Sequence, residues 1–134
     1  MDYEKNKKNN KELEGLNEGL ICPIRHMISI LGGKWKLPII CMLSNGLPAR
    51  YSLIKRKLNG ITNVMLAQSL KELEEYKIVH REQYNEVPPR VEYKLTERAN
   101  KILPALIELA MWAAEDMEEN KSCGKLCDRC NTMV

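Results

Sequence analysis

The chain has 134 residues, of which 44% are hydrophobic and 29% are charged, a balance typical of one small globular domain. It contains no apolar run near the roughly 18 residues that a membrane-spanning helix needs, and its polar opening does not resemble a secretory signal. These features argue against a membrane protein and predict a cytoplasmic one. A chain of this size often gains stability by forming a dimer.

Positive charge is concentrated in the middle of the chain. Residues 34–94 hold eleven Lys and Arg against six Asp and Glu, whereas residues 95–134 hold five against seven. A basic segment favours an anionic partner such as nucleic acid, although many proteins with this excess bind none. The charge therefore indicates DNA only if the same segment also carries a DNA-binding motif.

Composition divides the chain into three expected segments. Residues 1–19 are rich in Asn, Lys, Glu and Gly and predict a flexible segment, because they offer too few apolar side chains to pack. Residues 20–119 carry the apolar periodicity of a folded domain. Residues 120–134 form a tail with three of the five cysteines.

The first expected helix begins at Pro23, a residue suited to the first helical position, and ends at the pair Gly32-Gly33. A second helix is expected at about residues 34–43, with Pro38 bending it or marking a tight first turn. The residues of this second helix that we expect to face inward are Trp35, Leu37, Ile40 and Cys41.

Cys22 is expected at the N-cap of the first helix, where the helix dipole favours an anion and lowers a thiol pKa. Arg25 and His26 follow within one turn and could add to this effect. A thiolate there would react with a peroxide, a disulfide or an electrophile. The alternative is a small buried residue that caps a helix at a dimer interface. Cys41, on an apolar helix face, is expected to be inert.

Two short helices are expected next, at about residues 51–58 and 62–76, with the glycine-containing turn Asn59-Gly60-Ile61 between them. This spacing is typical of a helix-turn-helix. Thr62 is a favourable N-cap for the second of these helices. Three leucines fall on one face of it at helical spacing and should pack inward: Leu66, Leu70 and Leu73.

After residue 77 the apolar period changes from that of a helix to that of a strand. Strands are expected at about residues 78–84 and 90–95, joined by a loop that contains Pro88-Pro89 and cannot be helical. Two strands with such a loop form a wing when they follow the second helix of a helix-turn-helix, which is called the recognition helix. Thr96 then caps a long final helix at about residues 97–119, in which Pro104 marks a kink or a later start.

These elements predict a mainly α (α+β) fold, a winged helix-turn-helix with a two-stranded wing. In such folds the N-terminal part of the second helix reaches the bases in the major groove. On the face opposite the leucines, Gln68 could pair with adenine N6 and N7, and Ala67 or Val64 could touch a thymine methyl group. Lys71 suits a phosphate, and Asn63 suits either target. The alternative is an ordinary solvated helix face.

Basic residues around this helix are expected to contact the DNA backbone, which positions a protein without reading sequence. Arg90 follows the rigid proline pair and could enter a minor groove or bind phosphate. Ordinary surface charge is the alternative for each basic residue. The full set of candidate DNA contacts is Arg50, Lys55, Arg56, Thr62, Asn63, Val64, Ala67, Gln68, Lys71 and Arg90.

The tail cysteines Cys123, Cys127 and Cys130 have the C-x3-C-x2-C spacing of thiolates that can hold zinc or an iron–sulfur cluster. Closed metal sites normally take four ligands, and neither His26 nor His80 is near in sequence, so a fourth would come from a partner subunit or a small molecule. Thiol redox chemistry and the absence of any function remain equal alternatives.

The chain resembles the HxlR-type winged-helix transcription regulators, which are close in fold to the MarR group. The resemblance covers residues 22–112, and its order and spacing are specific. Two features depart from the family pattern: Val64 stands where many members carry a basic residue, and the cysteine tail is not part of the motif. The matching stretches are CPI at 22–24, LGGKWKL at 31–37, LNGIT at 58–62, LAQSLKELE at 66–74 and VPPRVEYKLT at 87–96.

The resemblance implies a homodimer that binds palindromic double-stranded DNA operators. It also implies that N- and C-terminal dimerisation helices make the subunit contacts, and that the cysteine before the proline, here Cys22, often senses oxidants or electrophiles. The residues that would form the dimer interface are Met27, Ile30, Leu103, Leu106 and Ala110.

The sequence therefore predicts a sequence-specific DNA-binding transcriptional regulator and not an enzyme. It contains no H-E-x-x-H, P-loop, G-x-S-x-G or dinucleotide-binding motif. Cys22 and His26 lie one helical turn apart, but no third group of a cysteine hydrolase is evident. The alternative functions are a winged helix that binds only protein, and a metal-dependent regulator that acts through the tail cysteines.

Overall fold

The structure, a computed structural model, describes residues 22–119, so the predicted flexible segment and cysteine tail lie outside it. The chain divides into two compact units between Gly32 and Gly33. In the first unit, helix α1 spans Pro23–Leu31, with Cys22 as its N-cap and Gly32 as its C-cap, which confirms the predicted bounds. A Cβ atom at Gly32 would lie 2.3 Å from the carbonyl oxygen of Ile28, so glycine alone fits this helix end.

The second unit begins with helix α2, Lys36–Leu43, two residues later than the predicted start. Pro38 lies in its first turn, where the missing N–H would have no helical partner. Of the four residues predicted to face inward, Ile40 is buried, whereas Trp35, Leu37 and Cys41 are only half-buried. Sequence reasoning missed buried Ile39, because α2 is apolar on nearly every side and its pattern indicates no single inner face.

The predicted helix-turn-helix is present as α3, Tyr51–Lys57, and α4, Asn63–Glu75. Gly60 lies in the turn between them with φ of +89°, a backbone conformation that residues with a Cβ rarely adopt. Thr62 caps α4, since its hydroxyl oxygen accepts a hydrogen bond from the N–H of Met65 at 3.2 Å. The three leucines predicted to pack inward are buried: Leu66, Leu70 and Leu73.

The wing is an antiparallel hairpin of β2, Val79–Tyr84, and β3, Arg90–Leu95, paired in register from Val79 opposite Leu95 to Tyr84 opposite Arg90. A third strand that was not predicted, β1, Ala49–Arg50, pairs with the outer side of β3. The strand order is β1-β3-β2, so β3 lies in the centre of the sheet.

The predicted final helix is divided in two. Thr96 caps the short helix α5, Glu97–Asn100, and the long helix α6 begins only at Leu103 and continues to Glu119. Pro104 therefore lies in the first turn of α6, and the later start is the correct one of the two predicted alternatives. None of the helices in residues 22–119 is both long and apolar enough to cross a membrane.

Helix α4 ends in a Schellman motif, in which Lys77 adopts the left-handed conformation with φ of +58°. The N–H of Ile78 donates to the carbonyl oxygen of Leu73 at 2.9 Å, and the N–H of Lys77 donates to that of Glu74 at 2.9 Å. The hydroxyl of Thr96 donates to the carbonyl oxygen of Lys77 at 2.6 Å. The end of α4 is therefore tied both to its own last turn and to the start of α5.

Candidate nucleic-acid interface

One face of α4 is open to solvent, opposite its buried leucines. Its side chains lie at the helical spacing of a single stripe, and Val64 is 75% exposed. Such a face is free to enter the major groove of DNA, which admits one α-helix. Four residues that were predicted to face DNA are exposed on this stripe, together with Glu75: Val64, Ala67, Gln68 and Lys71. Asn63, the fifth candidate on this helix, is exposed at its first position.

The first turn of α4 is held in place by two hydroxyl groups. The hydroxyl of Thr62 caps the helix by accepting from the N–H of Met65. The phenol of Tyr51 donates to the carbonyl oxygen of Asn63 at 2.9 Å, and its oxygen lies 3.4 Å from the side-chain Oδ1 of Asn63. Tyr51 is the first residue of α3, so this contact joins the two helices of the motif. Sequence reasoning missed Tyr51, because nothing in a linear pattern shows that it faces a residue twelve positions later.

A chain of charged and polar contacts links Gln68 to the protein interior. The Nε2 of Gln68 donates to Oε1 of Glu72 at 3.2 Å, and the Nζ of Lys36 lies 2.7 Å from the other carboxylate oxygen. Lys36 is only 9% exposed, and its ammonium also lies 5.9 Å from the ring centroid of Tyr76. The hydrogen bond from Lys36, with that from Gln68, lowers the pKa of Glu72, so this carboxylate stays ionised.

The basic residues predicted to contact phosphate cluster at α3. Arg50 is its exposed N-cap, Lys55 is half-buried, and Arg56 is exposed. Lys57, which was not among the candidates, belongs to the same last turn and is also exposed. Lys55, Arg56 and Lys57 lie at the negative, C-terminal end of the α3 dipole and directly precede the turn into α4. Arg50 lies at the opposite end of α3. Such cations can offer positive charge to a DNA backbone.

Arg90 is not extended into solvent. Its guanidinium carbon lies 4.1 Å from the ring centroid of Tyr84, the residue directly opposite it in the hairpin. Its terminal nitrogen lies 3.3 Å from a carboxylate oxygen of Glu86, and its Nε lies 3.6 Å from one of Glu92. Arg90 is thus stacked and paired within the wing, and binding a phosphate would require it to exchange these carboxylates for the DNA.

Cys22 is exposed at the N-cap of α1. It makes no full capping hydrogen bond, but the backbone N–H groups of Arg25 and Ile24, with a smaller contribution from the charge of Arg25, lower the pKa of its thiol. Cys41 is half-buried. The predicted dipole effect on Cys22 therefore has a local physical basis in the helix start.

The tail ligands Cys123, Cys127 and Cys130 lie outside the described residues, so the metal site stays a prediction that elemental analysis of anaerobically purified protein would test. Within residues 22–119, His, Cys, Asp and Glu side chains form no group of three or more that could hold a metal ion.

The predicted dimer-interface residues are less exposed than their neighbours. Met27 is 37% exposed on α1, whereas Ile30, Leu103, Leu106 and Ala110 are half-buried. Larger apolar side chains that were not predicted are the most exposed on both helices, because periodicity alone does not separate a core face from an interface face. They are Ile24 and Ile28 on α1, and Leu109, Met111 and Trp112 on α6.

Comparison with known proteins shows the same architecture elsewhere. An uncharacterized HTH-type transcriptional regulator of Halalkalibacterium halodurans is 43% identical over 94 residues, which cover 70% of this chain and 83% of that protein. The redox regulator HypR in its reduced form matches with a TM-score of 0.70 and 34% identity, over 76% of this chain and 100% of that one. The reduced transcriptional regulator YodB of Bacillus subtilis matches with a TM-score of 0.61 and 37% identity, over 70% of this chain and 92% of that one.

These relatives confirm the predicted winged-helix fold, and all three are named regulators rather than enzymes. The model of the HxlR-like helix-turn-helix family matches residues 30–121, which include α2 to α6 and the wing. The chain therefore belongs to the HxlR-like helix-turn-helix family and is a transcriptional regulator of the helix-turn-helix type.

Proposed function

We propose that this regulator binds double-stranded DNA in a sequence-specific manner, with α4 in the major groove. The observation that carries the proposal is the exposed stripe of α4, whose first turn is held by Thr62 and Tyr51 and whose opposite face is buried. A helix that is rigidly seated on its scaffold can present side chains to base edges without a large ordering cost.

The exposed residues form two groups, those that would contact base edges and those that would contact phosphates. The amide of Gln68 matches the donor and acceptor pattern of adenine, and the apolar Val64 and Ala67 match thymine methyl groups. Lys71 and the cations at the end of α3 suit phosphates, so they supply affinity that falls as salt concentration rises.

We propose further that the protein acts as a homodimer on a palindromic operator. The support is the exposed apolar surface on α6, where Leu109 is 58% and Trp112 is 67% exposed. Large apolar side chains in such a row commonly mark a protein–protein contact. A two-fold dimer would place its two α4 helices in successive major grooves, roughly 34 Å apart.

Cys22 is proposed as the site through which DNA binding responds to oxidants or electrophiles. Its thiol is exposed and has a lowered pKa, the two properties that favour oxidation. The similar protein HypR is named a redox regulator, which agrees with this assignment. The substitution Cys22→Ser should leave DNA binding intact and abolish its response to diamide. An unchanged response would contradict the assignment to Cys22 and indicate another cysteine.

The DNA-binding proposal is tested by anisotropy titration of the full chain with duplexes from the region upstream of its own gene. We expect sequence-dependent binding that weakens steeply with salt, and a loss of about tenfold or more for Gln68→Ala on the preferred duplex. Asn100→Ala removes an exposed amide on α5 and serves as the control, which should bind like wild type. Binding that is absent, or equal for all duplexes, would contradict the proposal.

A further inference from the structure

Gln68 is not a freely rotating surface side chain. Its Nε2 donates to Glu72 one helical turn later, at 3.2 Å, and the second oxygen of that carboxylate is 2.7 Å from the Nζ of Lys36. Each oxygen of Glu72 therefore has a different partner, one at the exposed surface of α4 and one in α2. The contact of Lys36 with Glu72 joins residues far apart in sequence.

Lys36 anchors this arrangement. Its side chain is 11% exposed, and a buried ammonium is strongly unfavourable unless an opposite charge and hydrogen bonds compensate it. Glu72, with a side chain 37% exposed, supplies that charge, and the ion pair with Lys36 holds its carboxylate in place. Rotation of the Glu72 carboxylate toward solvent would leave Lys36 without this partner, so the oxygen that Gln68 contacts has a defined position.

The chemistry of Glu72 then fixes which end of the Gln68 amide points outward. An ionised carboxylate only accepts hydrogen bonds, so it holds the amide nitrogen and repels the amide oxygen. The amide nitrogen of Gln68 has two N–H groups. One is donated to Glu72, and the other remains available beside the amide oxygen of Gln68 itself. The outer edge of Gln68 thus offers one acceptor and one donor, the pair that adenine N6 and N7 require, whereas guanine offers two acceptors.

We propose that Glu72, held by Lys36, is a positioning residue that determines base preference by fixing the orientation of the Gln68 amide toward adenine. The inference rests on the proposed DNA-binding function and adds a residue that contacts no base. Without this restraint the amide could turn either edge outward, so adenine and guanine would be distinguished less well.

The test uses duplexes that wild-type protein selects from a randomised DNA library. In the selected sequence, each position is replaced in turn by the other bases, and Kd is measured for wild type, Gln68→Ala, Glu72→Gln and Glu75→Gln. At the position lost in Gln68→Ala, we expect wild type to prefer adenine to guanine by about tenfold or more. Glu72→Gln should lower this ratio to about threefold or less, because a glutamine there can face either end of the Gln68 amide.

Glu75→Gln is the matched control, because it removes the same charge from an exposed residue of α4. It should keep the adenine preference of wild type. In the double variant Gln68→Ala with Glu72→Gln, the second substitution should have no further effect on base preference, since the group that it positions is absent. A change of equal size with and without Gln68 would indicate a merely structural role and would overturn the inference.

Two further measurements guard against unfolding of the Glu72 variant. Lys36→Met replaces the buried ammonium with an apolar chain of similar length and should reduce the adenine preference in the same direction. In the unmodified protein, NMR relaxation should show the side-chain NH₂ of Gln68 to be nearly as ordered as the α4 backbone, with an order parameter of about 0.8. A freely mobile NH₂, or an unchanged preference in the folded variants, contradicts the inference, whereas absence of any selected sequence contradicts the DNA-binding proposal itself.

Discussion

The phenolic oxygen of Tyr51 lies 2.9 Å from the backbone carbonyl oxygen of Asn63, so the first residue of one helix of the motif holds the first residue of the other. The carbonyl groups of a helical first turn normally accept bonds only from within the helix. Here one of them also accepts from outside, and this fixes the angle at which α4 leaves the turn at Gly60.

Removal of this hydroxyl should loosen the motif. Tyr51→Phe is expected to lower the free energy of unfolding by about 0.5 to 1.5 kcal/mol, the usual net value of one hydrogen bond, and to weaken DNA binding as α4 gains freedom. Urea unfolding and anisotropy titration measure the two effects. Tyr76→Phe removes a phenol from the far end of α4 and serves as the control; an equally large loss of affinity there would contradict the assignment to Tyr51.

The left-handed backbone of Lys77 destabilises the folded state, because it brings Cβ close to the neighbouring carbonyl oxygen; glycine, which has no Cβ, would avoid this contact. Lys77→Gly should therefore raise the free energy of unfolding by about 0.5 to 1 kcal/mol without altering the fold. Thermal or urea unfolding checks this gain. Lys77→Ala keeps the Cβ and should give no comparable gain, so equal stabilisation by both variants would show that loss of the lysine charge is responsible.

The pairing of Arg90 with Glu86 predicts an effect on DNA affinity. Glu86→Gln should remove one of the two carboxylates that compete with a phosphate for the Arg90 guanidinium, and tighten DNA binding by about two- to fivefold, in the range expected for an exposed ion pair. Glu82→Gln is the matched control: it removes one negative charge from the same wing, but its carboxylate pairs with His80 instead. Titrations at several salt concentrations distinguish the two, and equal tightening by both variants would indicate only a general loss of repulsion.

The lowered pKa of Cys22 predicts how its reactivity depends on pH. The thiolate is the reactive form, so alkylation by iodoacetamide should stay fast to lower pH than for an ordinary thiol and should fall as pH drops through the lowered pKa. The same sign holds for stability, because the folded state favours the thiolate and gains as pH rises through that pKa. The rate is measured on a chain whose other cysteines are serine.

Arg25→Ala should shift the rate profile of Cys22 slightly to higher pH, because the charge of Arg25 is a minor cause of the lowered pKa beside the backbone N–H groups. Lys34→Ala removes a cation beyond the end of α1 and should leave the profile unchanged. A Cys22 profile like that of a free thiol would contradict the local effect of the helix start.

Much of the fold could be predicted because its signals are local. The Thr62 cap, the leucine stripe of α4 and the non-helical loop with Pro88-Pro89 all depend on neighbours a few residues away. The strand β1 could not be predicted, since two residues carry no periodicity and form a strand only through β3. The inner face of α2 was also ambiguous, because apolar residues surround most of that helix.

The candidate site was predicted as a list of residues but not as an arrangement. The exposed face of α4 follows from helical spacing alone, and all five residues of this helix that were predicted to contact DNA are exposed. The contact of Lys36 with Glu72 spans two helices, and nothing in either local pattern pairs them. Arg90 was recognised as a wing cation, but its stacking on Tyr84 depends on which residues the hairpin places opposite each other.

The short strand β1 has a mechanical consequence for the wing. Ala49 and Arg50 pair with Tyr93 and Glu92 of β3, and Tyr51 follows immediately as the start of α3. A hairpin on a free hinge could adjust to any groove, but this one shares a backbone ladder with the segment that leads into the helix-turn-helix. In the proposed complex, the wing and α4 would therefore keep a fixed separation. This favours DNA sequences whose groove widths match that separation, even where no side chain touches a base.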